Sequence, residues 1–266
     1  MAIDNYQGKK YCGNNSFKVD DNLTVEQALQ ININQNPFTI TMRTPGNDED
    51  LIRGLLFSED IYKSQENFSI QFSEDEEKAI TNAEIKIDEK FLGKGYLNSR
   101  SILSVSSCGI CGKKELDDFN PDDRIKDENK LQIDNLFKMF DAMKKGQPTF
   151  HQSGGSHAAA AFDSKGKLLV IMEDIGRHNA VDKVIGHLIN NNLLNEAKCM
   201  VVSGRISYEI VTKVFAAKIP ILGAVSAPST LAVDFAKELG ITLLGFCREN
   251  KATCYAHPQR IYTLTD

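Results

Sequence analysis

The chain has 266 residues, 41% of them apolar and 25% charged, the mix of a water-soluble globular protein with material for one large domain or two modest ones. Its 31 Lys and Arg against 36 Asp and Glu leave a net charge of −5, which argues against broad, unspecific binding to nucleic acid or an anionic membrane but leaves room for a local basic pocket. Met1-Ala2-Ile3-Asp4-Asn5 is not the start of a secretory leader and no apolar run reaches bilayer length, so a cytoplasmic protein is expected, with its six cysteines mostly reduced.

The opening dozen residues are polar and are expected to fray. Leu23 to Ile33 is ambiguous between helix and strand, and Asn36-Pro37 breaks it. Phe38 to Thr44 alternates as a strand does, Thr44-Pro45-Gly46-Asn47 turns the chain, and Asp48 to Phe57 has helical spacing behind acids in its first turn. Phe68 to Phe72 and Ala83 to Ile87 read as short strands around the solvated acidic run Glu74-Asp75-Glu76-Glu77. This is a small α+β domain, residues 1–113, and it ends in a distinctive loop.

That loop is Ser106-Ser107-Cys108-Gly109-Ile110-Cys111-Gly112-Lys113-Lys114. Glycines flank two cysteines, and the lysines behind them favour thiolate over thiol. The pair has four readings: half a zinc site, a redox couple, a sulfur carrier that holds sulfane sulfur as persulfide, or small residues in a turn. A structural zinc site needs four ligands, and no second pair has ligand spacing; the βαβ surroundings of a thioredoxin motif are missing.

Residues 114–130 are dense in charge and read as linker. Residues 131–266 have another rhythm. Ile133 to Lys144 is an amphipathic helix, and Ala158 to Phe162 with Leu168 to Glu173 forms a hairpin. Helix Asn179–Asn190, strand Cys199–Val202, helix Ser207–Ala217, strand Ile221–Val225, helix Leu231–Leu239 and strand Ile241–Phe246 follow. The alternation predicts an α/β domain with a parallel or mixed sheet and helices packed on it.

Four segments there invite a ligand: Ser153-Gly154-Gly155-Ser156-His157, Glu173-Asp174-Ile175-Gly176-Arg177-His178-Asn179, Ser203-Gly204-Arg205 and Ser226-Ala227-Pro228-Ser229-Thr230. The last three join a strand to a helix, and such turns gather at the carboxyl edge of an open sheet, where helix starts suit phosphate. Arg177 and Arg205 add charge-assisted contacts, and Ser203, Ser207 and Ser229 add hydroxyls. For any one loop, ordinary helix capping is the simpler account; the four together, with His157 and His178, favour a nucleotide-like anion pocket. A fifth turn, Phe246-Cys247-Arg248-Glu249-Asn250-Lys251, follows the last strand. Zinc-deaminase, dinucleotide-fingerprint and P-loop motifs are all missing from the sequence.

These segments, with Asn36-Pro37-Phe38, Gly54-Leu55-Leu56-Phe57-Ser58-Glu59, Ala180-Val181-Asp182-Lys183 and His257-Pro258-Gln259-Arg260-Ile261, resemble the FdhD family of sulfurtransferases required for formate dehydrogenase activity. The resemblance implies a cytidine-deaminase-like mixed sheet with helices on both faces and without the zinc site, beside the smaller α+β domain. It implies that Cys108 carries a persulfide, assisted by Cys111, from a cysteine desulfurase to the molybdenum bis-guanine-dinucleotide cofactor of formate dehydrogenase. Phe246, Cys247, Arg248, Glu249, Asn250 and Lys251 match the cofactor-binding stretch, although Glu249 departs from a more basic, glycine-rich pattern. A homodimer is also implied. A cofactor-shielding chaperone without sulfur chemistry and a zinc-binding module remain as alternatives.

Overall fold

The computed structural model describes residues 2–64, 66, 68–75, 77–99 and 121–265. The loop carrying Cys108 and Cys111 lies outside the described residues.

The chain opens with two long strands, β1 (Ile3–Cys12) and β2 (Asn15–Thr24), paired antiparallel over their whole length. The expected fraying is therefore corrected to a two-stranded ribbon. Composition misled because the ribbon stays mostly exposed, so neither face needs the apolar alternation that marks a half-buried strand. Next come β3 (Gln27–Ile33), β4 (Asn36–Arg43), α1 (Asp48–Ser58), β5 (Ser69–Asp75), β6 (Ile80–Lys86) and the short α2 (Lys94–Ser99). The four strands form a sheet in the order β4-β3-β6-β5, in which β3 and β6 are parallel. Leu29, Ile31 and Ile33 point to the same side of β3 and pack with Ala83, Ile85 and the α1 residues Leu51, Ile52 and Leu56. That period of two settles the ambiguous segment as strand.

The larger body contains β7 (Leu131–Gln132), α3 (Ile133–Lys145), α4 (Pro148–Ser153), β8 (His157–Phe162), β9 (Leu168–Asp174), α5 (Arg177–Asn190), β10 (Cys199–Val202), α6 (Tyr208–Ala216), β11 (Ile221–Ala224), α7 (Thr230–Leu239), β12 (Thr242–Arg248), β13 (Lys251–Ala256) and β14 (Ile261–Tyr262). Six of its strands form one mixed sheet, ordered β13-β12-β11-β10-β8-β9. Here β10, β11 and β12 run parallel, whereas β8 is antiparallel to both β10 and β9, and β13 to β12.

Alternation along the strands feeds two apolar layers. Ala159, Ala161, Met200, Val202, Leu222, Ala224 and Leu243 pack with α5, α6 and α7 on one face. Ala158, Ala160, Phe162, Cys199, Val201, Ile221 and Leu244 pack with α3 on the other. The alanines of β8 leave room for helices to lie close on both sides. Ile125 joins the first layer, so packing of the larger body begins upstream of Leu131.

The front sheet is fixed to this body through α1 and α5. A methyl group at Gly54 would lie 1.9 Å from the Asp182 carbonyl oxygen, and one at Gly186 would lie 1.8 Å from that of Asp50. Only hydrogen fits at either position, so the two helices touch backbone to backbone. Beside the crossing, Lys213 donates to both oxygens of Asp182 at 2.9 Å and to Glu59 at 3.3 Å, and Ser58 donates to Asp182 at 3.1 Å. Gly54, Ser58 and Glu59 of one motif thus meet Asp182 of another, and their role is to hold the two units together.

Candidate functional site

Strand direction determines which loops meet. Because β8 is antiparallel to β9 and β10, the start of β8 lies beside the ends of both: His157 pairs with Asp174, and Ala159 with Val202. The ends of β11 and β12 and the start of β13 lie at the same edge. All five sequence-selected turns therefore gather at the carboxyl edge of the sheet. The β10–α6 and β11–α7 turns are stitched together, since Ile206 N–H donates to Ala227 at 3.2 Å and Ser229 N–H to Ile206 at 2.9 Å.

At the centre lie His157, Arg177 and Gly204. A methyl at Gly204 would sit 3.3 Å from Arg177 Cβ and 3.4 Å from His157 Nδ1. Arg177 Nε is buried and has no hydrogen-bond partner among the described residues. A buried, unanswered guanidinium N–H calls for an acceptor, and an anion is the acceptor that suits it best. The neighbouring helix starts add to this. The N-cap residues Gly176 of α5 and Ser207 of α6 make no side-chain cap bond, whereas Ser229 caps α7 by accepting from Ala232 N–H at 3.2 Å. Side-chain capping by serine therefore holds for α7 and is not seen for Ser207 of α6, while at α5 the turn is held by Asp174, which accepts from Gly176 N–H at 2.8 Å; the starts of all three helices carry a positive field. Arg205, Arg248 and Lys251 are exposed along the same edge.

His157 is half-buried, and that burial, followed by the charge of Arg177, pushes its pKa down against a smaller opposing pull from Asp174. The imidazole is thus held neutral, able to donate from one nitrogen and accept at the other. A neutral ring beside Arg177 adds no repulsion against the guanidinium.

Other selected residues face inward. Ser203 Oγ accepts from Ala158 N–H at 2.9 Å and lies 3.4 Å from His157 Nδ1, so it braces the start of β8. His178 is 5% exposed and its Nε2 lies 3.1 Å from Ser207 Oγ, which orients the first residue of the α6 turn. Cys247 is buried, and burial pushes its thiol up to about 12, so it is no nucleophile at neutral pH. Cys199 is buried and shifted upward for the same reason.

The fifth turn is more structured than its charge suggested. It is a hairpin joining β12 to β13, with Arg248 opposite Lys251 and Glu249 and Asn250 both at φ +54°. Two positive φ values in a two-residue loop match the twist of the strands, which accounts for Asn250 and leaves Glu249 in a conformation costly for its type. Phe246 is a sharper outlier: it sits at φ +55° in a β-bulge, its N–H donates to Ser226 at 3.1 Å, and its ring is 41% exposed. A bulky residue held in the left-handed region with its ring in solvent is a strained arrangement of the kind found at ligand sites.

Glu173, Asp174 and Arg260 stand inside motifs that the sequence singles out, but their role as anchors of this edge is not read from it. Asp174 is fully buried, pairs with Lys183 at 2.8 Å, and accepts from the N–H groups of Thr44 and Gly176 and from Asn179. Glu173 accepts from Thr149 and Phe150 N–H at the start of α4 and from Ser156 Oγ at 2.7 Å. Arg260 is 5% exposed and donates to the carbonyls of Asp127, Gly240 and Ile125, so the His257–Ile261 motif is a brace. Among the described residues, no three His, Cys, Asp or Glu side chains are grouped to hold a metal ion. A depression on the front unit, lined by Asp48, Glu49, Asp50 and Glu74, is acidic and repels phosphate.

A three-layer body with an anion-ready loop cluster, joined to a small α+β unit, defines the class. The sequence profile of the FdhD/NarQ family matches residues 24–262, and the chain belongs to that family. Relatives named sulfur carrier protein FdhD include one from Sulfolobus acidocaldarius, 39% identical over 243 residues that cover 91% of this chain and 92% of the relative. Another, from Nocardia farcinica, is 39% identical over 250 residues, 92% of this chain and 90% of the relative. The crystal structure of a protein from Desulfotalea psychrophila described as a formate dehydrogenase accessory protein superimposes with a TM-score of 0.77 at 20% identity, covering 98% of this chain and all of that one. It shares the fold. No helix among the described residues is long and apolar enough to cross a membrane.

Proposed function

We propose that this protein is a sulfurtransferase that carries sulfur as a persulfide on Cys108 from a cysteine desulfurase to the molybdenum bis-guanine-dinucleotide cofactor of formate dehydrogenase, with that cofactor as its substrate. The observation that carries the reading is membership of a family whose relatives are named sulfur carriers, in a chain that keeps the Cys108/Cys111 pair. The anion-ready edge supports the substrate assignment, because a bis-dinucleotide brings several phosphates and two purines. The body is then a deaminase-type scaffold adapted to bind a nucleotide.

The chemistry balances with these two thiols. The Cys108 thiolate attacks the outer sulfur of the desulfurase persulfide; that S–S bond breaks, a new one forms, and the desulfurase sulfur leaves as thiolate. Releasing the carried atom as sulfide takes two electrons. Cys111 supplies them by attacking Cys108 Sγ, which expels hydrosulfide and leaves a Cys108–Cys111 disulfide for a cellular dithiol to reduce. Arg177, Arg205, Arg248 and Lys251 answer phosphate charge, the α5 and α6 starts donate N–H groups, and Phe246 offers a face to a purine. Neutral His157 sets no second positive charge beside Arg177.

The test is Cys108→Ala in cells that depend on this protein for formate dehydrogenase maturation, with binding of guanosine diphosphate measured on the purified variant. Retained binding with lost maturation is expected. Normal maturation would favour a chaperone that shields the cofactor, and stoichiometric zinc lost with Cys108 would favour a metal-binding module.

A further inference from the structure

Three side chains meet behind the start of α6. His178 Nε2 lies 3.1 Å from Ser207 Oγ and 3.8 Å from Glu209 Oε2. The imidazole and the carboxylate are both buried. Among the described residues, the Glu209 carboxylate has no other hydrogen bond or ion pair, so the ring is what answers its charge. Ser207 is the member of the three that reaches the surface: it is half-buried and stands at the N-cap of α6. A capping serine turns its oxygen to an N–H of the first helical turn, and Ser207 does not. Its oxygen faces His178 instead.

One ring atom faces both partners, and that decides what it carries. Carboxylate oxygens only accept, so a bare lone pair at Nε2 would oppose Glu209, whereas an N–H there is drawn to it. Nε2 therefore holds a proton and donates it to Ser207 Oγ, the nearer oxygen. The serine oxygen is thus engaged as an acceptor, and its single proton is left for another group. With the opposite tautomer that proton would go to His178, and Ser207 would turn lone pairs toward the anion-ready edge, where they repel phosphate. We propose that Glu209 and His178 are positioning residues that hold Ser207 as a hydrogen-bond donor to a phosphate oxygen of the substrate, without touching the substrate themselves. That role rests on the reading that this edge binds a phosphate-bearing nucleotide. It reverses the effect expected of Glu209 from charge alone, since a carboxylate near an anion repels it.

Nitrogen NMR of the His178 ring in the unaltered, ligand-free full chain tests the first step and should show a protonated Nε2. Calorimetric titration with inorganic pyrophosphate and with guanosine diphosphate, well below the melting temperature of each variant, tests the consequence. Ser207→Ala should weaken pyrophosphate binding on the order of tenfold, the worth of one hydrogen bond to a charged group. Glu209→Gln should weaken it severalfold, although that change removes a negative charge near the anion. In the Ser207→Ala background, Glu209→Gln should cause no weakening, because Glu209 acts through the hydroxyl. A purely structural role for Glu209 would weaken both backgrounds alike. An unprotonated Nε2, unchanged or tighter binding in Glu209→Gln, or equal weakening in both backgrounds would overturn the proposal and leave the nucleotide reading standing. A parent that binds neither probe would overturn both.

Discussion

Gly204 and Arg177 touch across the carboxyl edge of the sheet: a methyl group at Gly204 would lie 3.3 Å from Arg177 Cβ and 3.4 Å from the neighbouring His157 Nδ1. The glycine is there for space, since its backbone is not in the left-handed region. Gly204→Ala is therefore expected to fold normally, displace Arg177 by a few tenths of an ångström, and weaken guanosine diphosphate binding about tenfold, or ~1.4 kcal/mol. Calorimetric titration beside a melting curve checks this; unchanged affinity would show that the Arg177 position is irrelevant to the anion.

His157 gives the site a pH signature. Burial first, and then Arg177, hold its folded pKa below the ordinary value of about 6.5. Between the folded value and that ordinary value the unfolded chain binds more protons. The histidine's contribution to stability is thus full above about pH 6.5 and is lost as the pH falls through the depressed value. Arg177→Gln should raise the titration midpoint of His157, followed by NMR of the ring protons. A midpoint unmoved by that change would remove Arg177 as a cause.

The Asp174–Lys183 pair lies within the larger body, with side chains 0% and 2% exposed, and holds the front unit through Thr44. Lys183 also donates to the Thr44 carbonyl at 2.9 Å, and Asp174 accepts from Thr44 N–H. Lys183→Met strands a buried carboxylate and should cost about 3–5 kcal/mol of stability in urea unfolding. A loss under 1 kcal/mol would mean that Asp174 takes up a proton at little cost.

Phe246 is the residue whose strain demands a return. If its exposed ring stacks on a purine, Phe246→Ala should weaken guanosine diphosphate binding by about 1–3 kcal/mol, the usual worth of one base–aromatic stack. The melting temperature should fall only modestly, since the ring is 41% exposed and the left-handed backbone costs alanine, which keeps a Cβ, much as it costs phenylalanine. Equal affinity for guanosine diphosphate and inorganic pyrophosphate in both proteins would rule out a stacking role.

The strands and helices of the larger body were legible because each buried strand is a short apolar run ended by a turn, and each helix repeats its apolar face. The clustering of turns followed from that alternation. Which side chains face the ligand did not follow. Ser203 and His178 have the residue types of ligand groups, yet they bond Ala158 and Ser207 behind the surface, and sequence records type without direction. The β1–β2 ribbon escaped notice because no core imposes alternation on it. Helix α4 escaped because it is short, although Pro148 at its start and Gly154 in the left-handed conformation at its end were both readable signals. Strand β13 was hidden by treating Glu249 and Asn250 as a charged loop end when they form a hairpin turn. The Asp182–Lys213–Glu59 cluster needed three distant segments to meet, which no local pattern reports.

The central claim is that Cys108 accepts sulfur. Incubating the purified protein with a cysteine desulfurase, its pyridoxal phosphate and cysteine, and then measuring intact mass, tests it most directly. The account predicts a gain of one sulfur atom that a thiol reductant removes, and no gain at that site in Cys108→Ala. An unchanged mass in the parent, or the same gain in the variant, would contradict it.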